Sequence, residues 1–159
     1  TASKPTVGEV LMTNGSGKAH DEAAIGAQIA LLAEAIRARD IHGVLSVFAA
    51  DVVSFDLGPP LQHGGGDGFA RRWQALFDGF QGRIDYEVRD PVITVAESVA
   101  FSHSLNKTAG TTRDGRKAEH WLRWTACWRR VEGGWRIVHE HVSVPVNLKE
   151  GTAILDLVP

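Results

Sequence analysis

The chain has 159 residues, of which 43% are hydrophobic and 23% charged, and a formal net charge of −2. That length fits one domain with a substantial core, and the near-neutral charge gives no electrostatic reason to expect nucleic acid or an anionic membrane as partner. A single cysteine, Cys127, excludes an internal disulfide and a multi-cysteine metal site.

No apolar run approaches the ~20 residues needed to span a bilayer. The N-terminus has no basic segment followed by an apolar stretch, so no secretory signal is visible and a cytoplasmic protein is expected. Residues 1–19 contain Pro5, Gly8, Gly15 and Gly17 and read as a flexible arm. Within it, Asn14-Gly-Ser-Gly-Lys18 superficially suggests a phosphate loop. It lacks the first glycine at the required spacing, and Ala19 stands where a magnesium-binding hydroxyl belongs, so that reading is rejected.

From Asp21, a candidate N-cap, the pattern is helical, with Ile25, Ile29, Leu32 and Ile36 recurring every three or four residues. A second short helix is expected over residues 41–48, with Val44, Leu45 and Phe48 inward. A strand follows over 51–57, broken by Gly58-Pro59-Pro60. Gly64-Gly65-Gly66 leads into a third helix over about 67–80, with Phe69, Trp73, Leu76 and Phe77 on one side.

The remainder reads as strands. Residues 84–88 alternate, and Pro91 interrupts before a further strand at 92–95. Next, Val99, Phe101, His103 and Leu105 share one face against Ser98, Ala100, Ser102 and Ser104, and this apolar face is expected inward. Asp114-Gly115 marks a turn. Two long strands then join at Glu132-Gly133-Gly134, and they carry four of the five tryptophans. In the first, Leu122, Trp124, Ala126 and Trp128 form an apolar face, against Trp121, Arg123, Thr125, Cys127 and Arg129. In the second, Val138, Glu140, Val142 and Val144 share a face. The tail, residues 147–159, carries Ile154, Leu155, Leu157 and Val158 and is expected to pack back on the domain or a partner. Helices first and antiparallel strands later indicate an α+β fold, with a curved sheet over a helical layer. No internal repeat is present.

The order of elements and several motifs resemble the nuclear transport factor 2-like superfamily, especially its SnoaL-like members. The resemblance covers roughly residues 21–145. It rests on Arg39-Asp-Ile-His-Gly43, Phe48-Ala-Ala-Asp-Val-Val-Ser-Phe-Asp56, Trp128-Arg-Arg-Val-Glu-Gly-Gly-Trp135 and Val138-His-Glu-His-Val-Ser143. That group includes ketosteroid isomerases, polyketide cyclases, limonene epoxide hydrolase and the association domain of calcium/calmodulin-dependent kinase II. The resemblance implies a cone-shaped, cystatin-like antiparallel sheet packed on N-terminal helices over residues 20–146, with a pocket between them. It also implies a homodimer through the outer sheet face.

By the same resemblance Asp56 falls where ketosteroid isomerases carry their proton-shuttling carboxylate. In an apolar pocket such a group would be tuned toward a useful base. The alternative is a turn-forming aspartate capping Gly58. The isomerases' oxyanion donors, a tyrosine and a protonated aspartic acid, correspond to Leu32 and Ala126, which cannot donate. Glu140 among valines is a second pocket acid or a rim charge. His103 and His120 are ligand contacts or satisfied core histidines. Trp73, Phe101, Trp124 and Trp128 are core residues, walls for a flat or cyclic ligand, or both, and Val142 is a further candidate wall. His139 and His141 read as an outer-face pair rather than a metal site, and His63 lies on a loop beside the pocket mouth.

The expected function is thus a cofactor-independent, metal-free enzyme. Its partner would be a small hydrophobic, carbonyl-bearing molecule, and acid/base proton transfer would use Asp56, with Glu140 or His103 as the second group. The rival is a noncatalytic ligand-binding or oligomerisation domain, because the kinase association domain shares the His139-Glu-His-Val-Ser143 ending.

Overall fold

The computed structural model describes residues 7–159, with side chains from residue 17 onward. Helix α1 spans Val7–Ala38, α2 Ile41–Val47 and α3 Asp67–Asp78. The long strands are β1 (Phe48–Phe55), β3 (Phe80–Ala96), β4 (Val99–Thr112), β5 (Lys117–Val131) and β6 (Gly134–Ser143). Short strands β2 (His63–Gly64), β7 (Val146–Asn147) and β8 (Thr152–Ala153) complete the set.

Six strands form one sheet in the order β2-β1-β6-β5-β4-β3, while β7 and β8 pair separately. The three helices pack on one side of it, so the fold is α+β as expected. The sheet is mixed rather than purely antiparallel, because β1 runs parallel to β6. That parallel pairing brings the end of β1 beside the middle of β6, with Ser54 opposite Glu140.

The arm expected over 1–19 is not observed as such. Residues 1–6 lie outside the described residues, and α1 already begins at Val7. Asp21 is therefore inside a helix and not an N-cap. Its carboxylate pairs with Arg130 and accepts from Trp135 Nε1 at 3.3 Å, tying α1 to β5 and β6. The Arg130 hydrogen bond holds the Asp21 carboxyl below its ordinary range. The four α1 residues Ile25, Ile29, Leu32 and Ile36 are buried as their spacing requires. Phe48 starts β1 instead of ending α2.

Pro91 does not split β3. It sits at a register shift between Arg89 and Val92, beside Asp90 at φ 50°, in the edge strand where a missing N–H is tolerated. The tail folds back, with Ile154 N–H donating to the Pro145 carbonyl at 2.9 Å. Leu157, Val158 and Pro159 line one groove with Leu105, Trp121 and Leu122.

Entry into α3 depends on close backbone approach. A Cβ on Gly65 would sit 2.1 Å from the Ala50 carbonyl oxygen, and Gly66 follows at φ 77°. Gly65→Ala is expected to lower stability by about 1–3 kcal/mol by pushing β1 from the α3 start, measured as a fall in Tm. An unchanged Tm would show that this turn relaxes freely.

Candidate active site

The helices and the concave sheet face enclose a narrow cavity of about 60 Å³ that opens to solvent. Every layer contributes to its wall: Leu32 and Ile36 from α1, Arg72, Trp73 and Leu76 from α3, and Tyr86, Asn106, Thr108, Leu122, Trp124, Glu140 and Val142 from the sheet. Asp56, just past β1, completes it. The lining is mainly apolar and aromatic, and three formal charges stand in it: Asp56, Arg72 and Glu140. Few convergent polar groups in an apolar cavity are the signature of a small-molecule site.

Val52, Ser54 and Asp56 point inward because they alternate along β1 and its end. Asp56 Oδ2 is ion-paired with Arg72 Nη2, and both side chains are largely shielded, at 20% and 15% exposure. Oδ1 of Asp56 accepts no hydrogen bond from the described residues. Asp56 is thus neither a lone carboxylate in apolar surroundings nor a Gly58 cap, and the premise that burial alone tunes it does not hold. Burial draws Arg72 below its ordinary value, and the Glu140 charge opposes that shift. Arg72 stays a guanidinium cation throughout the physiological range.

Glu140 is buried at 3% exposure. It accepts from Ser54 Oγ at 2.8 Å and from Trp124 Nε1 at 3.0 Å, one donor on each oxygen. It is a pocket acid and not a rim charge.

Across the cavity, Ser104 Oγ donates to Asn106 Oδ1 at 2.7 Å, and Asn106 Nδ2 donates to the Tyr86 hydroxyl oxygen at 2.7 Å. Burial holds the Tyr86 phenol far above its ordinary value, with the Asn106 hydrogen bond opposing. The phenol is therefore protonated, its oxygen already accepts, and its O–H is left to donate. Tyr86 supplies a donor that Leu32 and Ala126 cannot, and it does so from a different strand.

Phe101, His103, Trp128 and Val138 do not take the places expected of them. On β4 the buried residues are Ala100, Ser102, Ser104, Asn106 and Thr108, so the face expected inward is the outer one. Pairing with β5 fixes this parity, because Phe101 stands opposite Cys127 and His103 opposite Thr125, both on the outer face. Phe101 is 47% exposed and cannot wall the cavity. His103 lines a shallow outer groove with Arg89, Leu105 and Arg123, away from Asp56, and cannot serve as its catalytic partner.

Trp128 is core rather than ligand wall, with its indole N–H donating to Ser102 Oγ at 2.9 Å. On β6 a bulge at Val138 separates buried Ile137 from buried Glu140, so Val138 does not share their face. Trp73, Trp124 and Val142 do line the cavity, as does Asp56. His139 and His141 lie on the outer face, edge-on to Phe55, and His139 Nδ1 is 2.8 Å from the Val53 carbonyl oxygen. Among the described residues no three His, Cys, Asp or Glu side chains converge as metal donors. No described helix is long and apolar enough to cross a membrane.

His120 is on the inner face of β5, opposite Thr108, but outside the cavity lining. Burial lowers its pKa from the ordinary value. The unfolded chain therefore binds a proton at His120 before the folded one does. Its contribution is present above the ordinary histidine pKa, ~6.5, and is lost as pH falls from there through the folded value. His120→Gln is expected to flatten this acid-side loss in unfolding titrations taken downward from about pH 6.5. A variant with the same pH slope as wild type would exclude His120 as its source.

Arg72, Tyr86, Asn106 and Thr108 line the cavity without having been singled out by their sequence pattern. For Tyr86 a signal exists: it is the chain's one tyrosine, and it shares parity with Ile84 and Val88. Arg72 gives none, since a charged neighbour of a helix's apolar stripe usually faces solvent.

The family model for the SnoaL-like domain matches residues 25–147. Among solved structures, a nuclear transport factor 2-like protein of unknown function from Pseudomonas putida superposes with a TM-score of 0.79 at 29% identity. It covers 89% of this chain and 97% of its own. A nuclear transport factor 2-like superfamily protein from Salmonella enterica gives 0.74 at 19% identity, covering 86% and 99%. A ketosteroid isomerase-like protein from Erwinia carotovora gives 0.66 at 22% identity, covering 76% and 93%. No curated protein matches the chain at a significant level.

Proposed function

Because the chain belongs to the SnoaL-like family, we propose that it is a small-molecule enzyme that moves a proton next to a ligand carbonyl. The observation that carries this reading is Asp56, with one oxygen anchored on Arg72 and the other without a partner among the described residues, at a mainly apolar cavity. Asp56 takes the proton. The C–H bond breaks, its electron pair forms a carbon–carbon double bond, and the carbonyl becomes an enolate oxygen. The Tyr86 O–H and the Arg72 guanidinium are the donors available to that developing charge. Returning the proton from Asp56 to the same or another carbon gives exchange or isomerisation. Where the ligand carries a hydroxyl on the next carbon, its C–O bond breaks as the enolate re-forms the carbonyl, and the proton returned from Asp56 lets it leave as water, which gives dehydration. Glu140 is a positioning residue, holding Trp124 and Ser54 in place and facing Arg72 with a fixed charge.

The test is deuterium uptake, followed by NMR, at the carbon next to the carbonyl in cyclic ketones, aromatic polyketide-like ketones and small terpenoid ketones. Asp56 is partly exposed and can trade its proton with solvent between turnovers. Accelerated uptake in at least one ketone is expected. Ketones that bind without accelerated exchange would favour a noncatalytic binding domain.

The reading includes a homodimer through the outer sheet face, where Val92, Val99, Phe101 and Leu105 are exposed. Light scattering should give twice the chain mass. A large ring would point to assembly instead.

A further inference from the structure

Ser104, Asn106 and Tyr86 form a hydrogen-bond chain on the inner sheet face, and its middle member decides what the chain presents to the cavity. Ser104 Oγ donates to Asn106 Oδ1 at 2.7 Å, and Asn106 Nδ2 donates to the Tyr86 hydroxyl oxygen at 2.7 Å. A hydroxyl can donate or accept, so Ser104 and Tyr86 could serve in either direction. An amide cannot, because its oxygen only accepts and its nitrogen only donates. The orientation of the Asn106 amide therefore fixes the direction of the whole chain. With Nδ2 on Tyr86, the phenol oxygen accepts and its hydrogen is free for the cavity. With the amide turned over, the phenol would give that hydrogen to Oδ1 and offer the cavity lone pairs alone.

Both directions make the same two hydrogen bonds, so the surroundings choose between them. Asn106 is buried at 1% exposure. It lines the cavity together with Tyr86, and the same wall holds two carboxylates, Asp56 and Glu140, against one guanidinium, Arg72. Of the two charges that reach the Tyr86 phenol, Glu140 outweighs Arg37. Side-chain dipoles orient in such a field. A phenol hydrogen facing net negative charge is attracted, whereas lone pairs facing it are repelled. Ser104 stands outside the cavity lining and acts only through the amide it holds.

We infer that Asn106 is a positioning residue that, with Ser104 behind it, sets the direction of this chain so that Tyr86 meets a ligand as a hydrogen-bond donor. The inference rests on the catalytic reading above, in which Tyr86 donates to the developing enolate oxygen.

Tyr86 is the only tyrosine in the chain, so the tyrosine Fermi doublet of a Raman spectrum reports this one phenol. The ratio of its two bands is high when the phenol oxygen accepts and low when the phenol only donates. Ligand-free wild type should show the accepting signature, and Asn106→Leu, which removes the donor, should lower the ratio. A purely donating signature in wild type would overturn the inference, and that comparison needs no variant to fold. So would a ratio that rises or stays unchanged in Asn106→Leu.

Deuterium uptake gives the second readout. Asn106→Leu should slow uptake at saturating ketone by about three- to tenfold. In a Tyr86→Phe background the same substitution should add no further loss, because a residue that acts through Tyr86 has nothing left to position. Losses that multiply in the double variant would overturn the positioning role. An accepting signature in wild type with no uptake into any ketone would sink the catalytic reading and leave the direction of the chain standing.

Discussion

Asp56→Asn is expected to slow exchange next to the ligand carbonyl by about 10²–10⁴-fold, the usual worth of a positioned general base. An amide has nearly the shape of the carboxylate but cannot take the proton. Arg72 loses an anionic partner yet keeps an oxygen acceptor, so the wall should survive and ketone affinity should change little. The loss should therefore fall on the rate at saturation rather than on the concentration needed to reach it. Asp56→Glu restores the carboxylate and should recover part of the rate, the remainder being lost to misplacement. A thermal melt close to wild type completes the expected pattern. Loss of rate with an equal loss of stability would instead make Asp56 a structural partner of Arg72.

Glu140→Ala should act on folding. The substitution strips the partners from Ser54 Oγ and Trp124 Nε1, removes a charge facing Arg72, and leaves a void beside a buried tryptophan. Breaking a buried charged group out of its hydrogen bonds typically costs about 2–5 kcal/mol. Urea unfolding should show that loss as a lower midpoint with an unchanged slope. Glu140→Gln keeps the volume and one acceptor oxygen and should lose roughly half as much. Equal stability of Glu140→Ala and wild type would mean that the two donors find water without penalty.

The fold is legible in the sequence where the two periodicities are strong. Ile25, Ile29, Leu32 and Ile36 place α1 on the sheet, and Leu122, Trp124, Ala126 and Trp128 identify the inner face of β5, all as observed. Parity fails on β4 because both of its faces break the usual rule. The inner stripe of Ser102, Ser104, Asn106 and Thr108 is polar yet buried, with Ser102 satisfied by Trp128, Ser104 by Asn106, and Asn106 by Ser104 and Tyr86. The outer stripe of Val99, Phe101 and Leu105 is apolar yet exposed. The correlation between hydrophobicity and burial is a tendency that a single stripe can break in either direction. On β6, a single bulge at Val138 shifts the register, which no pattern of side chains announces.

The site is half legible. Asp56 and Glu140 stand in one cavity with Trp73, Trp124 and Val142, as expected. Arg72 is hidden because its partner is 16 residues away and its inward turn depends on the path of the loop between β1 and α3. Its presence changes the chemistry assigned to Asp56, from a carboxylate tuned by burial to one anchored by a cation.

The proposed function divides the labour between two carboxylates, Asp56 carrying the proton and Glu140 holding the site in shape. Deuterium uptake into one saturating ketone, measured for Asp56→Asn and Glu140→Gln side by side and normalised to folded protein, tests it most directly. Asp56→Asn should fall by at least about 10²-fold while Glu140→Gln stays within about tenfold of wild type. The reverse order would contradict it and make Glu140 the base.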